Sequence, residues 1–275
     1  MKRSIHIKGT ELDLRRPMVM GILNVTPDSF SDGGKYDTVN TALTQAHKMI
    51  NDGAGIIDVG GYSSKPGAAD VSVQEELDRV IPIIEKLANT VDIPISIDTF
   101  RSKVAIAAVQ AGACIVNDIS AGDDDEDMIP SVATLGVAYI MMHKQGKSKT
   151  MQNNPQYLEV VQDVFDYLLA KNEECRMAGI NDLIIDPGFG FGKTLEHNYT
   201  LLKQLKVFNS LEIPLMVGLS RKSMIYNFLG TDASNALNGT SFLHSFALQN
   251  GANLLRVHDV KEAVECVKLF EKMRG

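Results

Sequence analysis

The sequence predicts an α/β fold: a single-domain (β/α)8 TIM barrel with a short N-terminal β-hairpin. Three observations carry this. Eight short apolar runs recur along the 275 residues, segments with helical spacing separate them, and no linker, low-complexity tract or composition shift divides the chain. Eight β–α units in about 250 residues is the arithmetic of such a barrel. A doubly wound sheet is the other way to alternate strands and helices, but no Gly-rich fingerprint follows the first run.

The elements follow in order. SIHIKGTELDL alternates apolar residues around Gly9-Thr10 and predicts the hairpin, within residues 1–16. The eight runs are MVMGILNV (18–25), IIDVGG (56–61), PISIDT (94–99), CIVNDIS (114–120), AYIMMHK (138–144), LIIDPG (183–188), PLMVGLS (214–220) and LLRVHD (254–259). Each is continuous enough for a parallel strand buried on both faces. VQEELDRVIPIIEKLANT and NYTLLKQLKVFN read as helices, and DVKEAVECVKLFEKM as the closing one. YLEVVQDVFDYLLAKNEECRMAG predicts a long helix stopped at Gly179. KQGKSKTMQNNPQ before it reads as a polar, mobile loop.

Composition sets bounds on function. Hydrophobic residues are 44% and charged residues 22%, with a net charge of −7. That balance disfavours nucleic acid and anionic membranes as partners. The N-terminus has no apolar signal region, and no stretch reaches the roughly 18 apolar residues of a membrane span. Cys114, Cys175 and Cys266 are scattered, odd in number and form no C-x-x-C pair. They read as reduced thiols of a cytoplasmic protein.

Two stretches invite misreading. DPGFGFGKT (186–194) ends like a nucleotide phosphate loop, but that pattern needs glycine where Pro187 stands, and proline has no N–H to give a phosphate. The dinucleotide fingerprint fails as well, at Lys193. AGDDDEDM (121–128) suggests a metal cluster, yet hard metals in barrels draw oxygens from several loops. The run reads instead as the start of the fourth helix, where the macrodipole favours carboxylates.

The active site of a barrel lies at the C-terminal ends of its strands. Here those ends carry Asn24, Asp58, Asp98, Asn117 with Asp118, His143, Asp186, Ser220, and Arg256 with His258. One such residue is usually a turn or a cap. So many together aim polar groups at one mouth. Side chains alternate along a strand, so Arg256 shares a face with His258, Asp98 with Ser96 and Asp186 with Ile184. Asp58, Asp118 and Ser220 read as structural.

These strand-end motifs resemble those of the dihydropteroate synthases over residues 18–272: GILNVTPDSFSDGG, SIDTFR, VNDIS, DPGFGFGKTLEHN, GLSRKSMI and RVHDV, in that order. The resemblance implies condensation of a dihydropterin-6-ylmethyl diphosphate with p-aminobenzoate by an SN1-like route. It also implies Mg²⁺ and a homodimer formed through outer helices. It places Asp186 and Asn117 on the pterin edge and Asp98 where positive charge develops. Arg256 and His258 fall on the diphosphate, and Asn24 on Mg²⁺ as well as diphosphate. Lys222 lies between the two substrates and Ser223 beside the aminobenzoate, with Phe191, Met142 and Gly218 as lining. Catalytic roles fall to Asp98, Lys222 and Asp28, the last shaping the aminobenzoate site once the first loop closes. Arg221 is left to the fold. The second loop departs from the family pattern: GGYSSKPGA has Tyr62 for Glu, Ser64 for Thr and Lys65 for Arg. Ser64 keeps a hydroxyl, and Lys65 keeps charge without the bidentate fork. Both loops are expected to close over the mouth and exclude water. Two alternatives share the pterin contacts: a corrinoid methyltransferase, which has no need of the diphosphate set, and a non-catalytic pterin-binding homologue.

Overall fold

Alternation along short strands builds this molecule. In the computed structural model, residues 4–7, 9–25, 35–62, 71–146, 151–152 and 154–275 are described. The predicted hairpin is β1 (Ser4–Ile7) with β2 (Thr10–Asp13), paired antiparallel. The eight runs form β3 (Met18–Asn24), β4 (Ile56–Gly60), β5 (Ile95–Asp98), β6 (Ile115–Asp118), β7 (Ala138–Met142), β8 (Leu183–Asp186), β9 (Met216–Val217) and β10 (Leu254–Val257). They are parallel and ordered β8-β7-β6-β5-β4-β3-β10-β9. A bridge from Ile185 to Leu215 joins the two ends into a barrel.

Helices pack outside: α1 (Lys35–Asn51), α2 (Val73–Ala88), α3 (Ser102–Gln110), α4 (Met128–Leu135), α5 (Val160–Met177), α6 (Leu195–Lys203), α7 (Ser223–Tyr226), α8 (Leu237–Gln249) and α9 (Val260–Arg274). Their starts have local causes. Ser72 Oγ accepts from Glu75 N–H before α2, and Thr194 and His197 form a reciprocal capping box before α6.

The side-chain period of two divides the core. Outward residues such as Val19, Ile57, Ile97, Val116, Met141, Ile185 and Leu255 pack against the helices. Inward residues Met20, Ile56, Ile115, Ile140, Ile184, Met216 and Leu254 fill the barrel, and Ile5, Ile7 and Leu14 of the hairpin region close its floor. Each fully buried side chain of this kind contributes roughly 1.5–3 kcal/mol. The next inward layer is the polar mouth.

Three expectations change. The helix read over NYTLLKQLKVFN breaks at Gln204, and a 3-10 turn over Leu205–Leu211 follows. Leu205 and Phe208, both buried, take the three-residue spacing of that turn. The seventh run yields only a two-residue strand, because the chain turns at once, with Lys222 N–H bonded to Leu219 O. The acidic run stops short of α4 rather than starting it: the helix begins at Met128 with no acid in its first turn, and Asp127 is its N-cap. Instead Asp125 accepts from Ser102 N–H at the start of α3 (2.7 Å), Asp123 pairs with Lys171 (2.7 Å) and the Tyr167 hydroxyl, and Asp124 with Lys144. The run cross-links neighbouring helices and loops. Of the polar loop at 144–156, the described part is tied by the Gln145 side chain, whose Nε2 donates to Gln156 O at 2.5 Å and whose Oε1 accepts from Gln156 N–H at 2.8 Å.

Candidate active site

The polar layer is joined by hydrogen bonds between strands. Asp58, fully buried on β4, accepts on Oδ2 from Asn117 Nδ2 (3.0 Å) and Arg256 Nε (2.6 Å). Arg256 Nη2 also donates to Asp98 Oδ2 at 2.5 Å. Asp58, read as structural, thus ties two strand-end side chains together inside the mouth. The alternation that places Ile56 inside would have found it. Its Oδ1 is buried without a hydrogen-bond partner. Because Arg256 spends its Nε and Nη2 edge on the two carboxylates, the bidentate grip expected for a diphosphate falls to its remaining N–H groups. Burial alone would lower Arg256, but Asp58 and Asp98 outweigh it and hold the guanidinium above its ordinary range. Burial raises Asp98 above the usual carboxylate range, against the pull of Arg256.

Asp186 ends β8, buried, and accepts from Gly188 N–H on Oδ1 (2.8 Å). Burial raises it too, while Lys222 pulls the other way. Gly218 leaves room beside this pair: a Cβ there would lie 3.9 Å from both Asp186 Oδ2 and Lys222 Nζ. The Lys222 ammonium donates to Phe189 O and sits 4.5 Å from the centre of the Phe191 ring, a cation–π contact. Burial lowers Lys222 to about 8. Met142 is buried at the end of β7.

Asn24 ends β3, and a Cβ on Gly60 would lie 3.6 Å from Asp98 Oδ2 and 3.7 Å from Asn24 Oδ1, so Gly60 separates the two only by its backbone. His258 is exposed just past β10, and its N–H donates to Ser220 Oγ at 3.1 Å. Ser220, read as structural, therefore touches a site residue. Asp118 does not; it faces outward and accepts from Tyr139 and Ser120. Ser223 is exposed at the first position of α7. Arg221, at φ 53°, forks onto Asp259 at 2.8 and 2.7 Å and donates to Ala233 O and Ser234 O. It ties the loop before α7 to the loop after β10. Tyr62 packs edge-on to Phe100 with Arg101 stacked near both rings. Asp28, Ser64 and Lys65 lie outside the described residues, as do the first loop expected to close (26–34) and residues 63–68 of the second. Among the described residues no group of three or more His, Cys, Asp or Glu could hold a metal. Asn24 therefore offers one amide oxygen, which suits Mg²⁺ only where phosphate and water oxygens supply the rest.

A parallel barrel whose mouth holds acceptor, amide and cation in one layer suits a flat, N–H-rich heterocycle carrying an anionic group. The chain belongs to the pterin binding enzyme family, which matches residues 20–258. Within that family its relatives are dihydropteroate synthases. That of Escherichia coli (strain K12) is 47% identical over 266 residues, 96% of this chain and 94% of its own. The Yersinia pestis dihydropteroate synthase, solved with a sulfonamide drug complex, superimposes with a TM-score of 0.93 at 44% identity, covering 98% of this chain and 99% of its own. The Xanthomonas albilineans enzyme, solved with 7,8-dihydropteroate, gives 0.90 at 39% identity, covering 99% of each.

Proposed function

We propose that the chain is a dihydropteroate synthase, joining a 7,8-dihydropterin-6-ylmethyl diphosphate to p-aminobenzoate with release of diphosphate. The observation that carries this reading is the inward layer itself. Asp186 and Asn117 present an acceptor and an amide to the amino-pyrimidinone edge, while Arg256 and His258 lie across the mouth for the anion. The bond from the exocyclic methylene to the diphosphate oxygen breaks, the aryl amine nitrogen supplies the new C–N bond, and the amine sheds one proton. Asp98, beside the methylene in this reading, stabilises positive charge as it develops. Lys222 bridges the two substrates, with its stem against Gly190 and its charge toward Asp186. Mg²⁺, held by Asn24 and the diphosphate, would supply charge neutralisation to the leaving group.

Two coarser readings accompany it. Phe242, Phe246, Leu269 and Met273 leave apolar side chains exposed on α8 and α9, away from the mouth, which supports a homodimer through that face. No helix among the described residues is long and apolar enough to cross a membrane, and we place the enzyme in the cytoplasm. The test is direct. Purified protein, Mg²⁺, the pterin diphosphate and labelled p-aminobenzoate should give dihydropteroate and diphosphate in equal amounts. Absence of both products rejects the assignment.

A further inference from the structure

We propose that Lys193 is a positioning residue for this reaction: it fixes the loop 188–192, against which Lys222 and Phe191 are set. The inference rests on the synthase reading above. The loop winds through left-handed glycines, with φ of 71°, 80° and 63° at Gly188, Gly190 and Gly192. Such a path joins no sheet ladder, so its carbonyls need other donors.

All five receive one from a side chain. Gly188 O accepts from Lys193 Nζ (2.9 Å), Phe189 O from Lys222, Gly190 O from Gln152, Phe191 O from Lys193 Nζ (3.2 Å) and Gly192 O from the Tyr157 hydroxyl (2.8 Å). The remaining close partner of Lys193 is His143 Nδ1, at 2.9 Å. The Nζ of Lys193, a residue only 3% exposed, thus sits among these three acceptors, with His143 O a fourth at 3.5 Å, and burial pulls its amine well below the ordinary lysine value. Burial holds His143 down, to about 2, so its neutral ring can accept. The loop is also pressed from behind. A Cβ on Gly188 would strike His143 O, and one on Gly192 the backbone of Gln145.

The consequence is geometric. Lys222 reaches Phe189 O and stacks over Phe191; Phe189 lies between the two carbonyls that Lys193 ties, and Phe191 carries one of them. Lys193 touches neither substrate in this arrangement; it acts through the loop on Lys222.

Lys193→Met keeps the stem and removes the donors. In the product-forming assay, kcat/KM for p-aminobenzoate should fall about tenfold or more, since a displacement near 1 Å can cost about a hundredfold. Calorimetric affinity for the pterin diphosphate, held from the strands, should change less than about twofold. The alkaline limb of kcat/KM should move upward, because a loosened loop readmits water around Lys222, which Asp186, Asp98, Arg256 and Lys193 face. Should Lys193→Met not fold, Gln152→Ala with Tyr157→Phe loosens the loop from its outer side. This double variant should lose about threefold in the same parameter. A folded variant with unchanged kcat/KM and an unmoved limb overturns the proposal. Failure of the synthase reading is distinguishable, since then the unaltered chain also forms no product.

Discussion

The chain concentrates carboxylates in two places, and they do different work. In the mouth, Asp58, Asp98 and Asp186 arrive on three separate strands; Asp58 and Asp186 are 0% and 4% exposed, and they share one guanidinium and one ammonium. Along Asp123 to Asp127 the acids are contiguous and sit near water, where Asp123 is about half exposed and each ion pair joins one acid to one lysine of a neighbouring element. Neighbours in sequence spread around a surface turn and find cations singly. Residues dispersed over strand ends converge where solvent is scarce, so their proton affinities move and a ligand can complete them.

Substitutions can break or sharpen that contrast. Arg256→Met should have the largest effect: it strands Asp58 and Asp98 in the mouth, and unfolding should become easier by about 3–5 kcal/mol, with turnover lost. A melting temperature equal to that of the parent would show that the two carboxylates need no partner. Asp186→Asn turns an acceptor into a donor facing donors, and calorimetry should show pterin affinity weaker by about 1–3 kcal/mol. Unchanged affinity would remove Asp186 from the pterin edge.

Lys222 makes a prediction of opposite signs. Its folded value, about 8, lies below its unfolded one, so the penalty for burying its charge is present below pH 8. As pH rises from there toward about 10, this residue's contribution to stability should improve. Activity should fall over the same range, about tenfold per pH unit, as the bridging charge is lost. Lys222→Arg, which stays protonated, should abolish that fall if it preserves turnover. At the small end, Asp123→Asn should change stability by less than about 1 kcal/mol and leave kcat/KM alone. A large loss of activity there would dissolve the distinction between the two clusters.

Much of this was legible in the sequence. All eight runs became strands, because a buried parallel strand needs a continuous apolar stretch and little else writes one. Asp98, Asn117, Asp186 and Arg256 were found at strand ends by the same logic. Asp58 reads as structural because its neighbours in IIDVGG look like ordinary frame, and only its parity with Ile56 marks its place in the mouth, where it holds Asn117 and Arg256. Lys193 carries no signal once the phosphate pattern fails, since the sequence does not say which way a lysine turns after three glycines. The break at Gln204 was invisible because Leu205 and Phe208 satisfy helical and 3-10 spacing almost equally.

The hairpin has a consequence for traffic. With Ile5, Ile7 and Leu14 seated among the barrel's own apolar residues, the floor is shut. Among the described residues, the mouth is then the open end of the barrel. On the function proposed above, whatever occupied the outer part of the mouth would bar whatever lay deeper, so a heterocycle held by Asp186 would enter before the amine and leave after it or joined to it. The plug at one end writes an itinerary at the other.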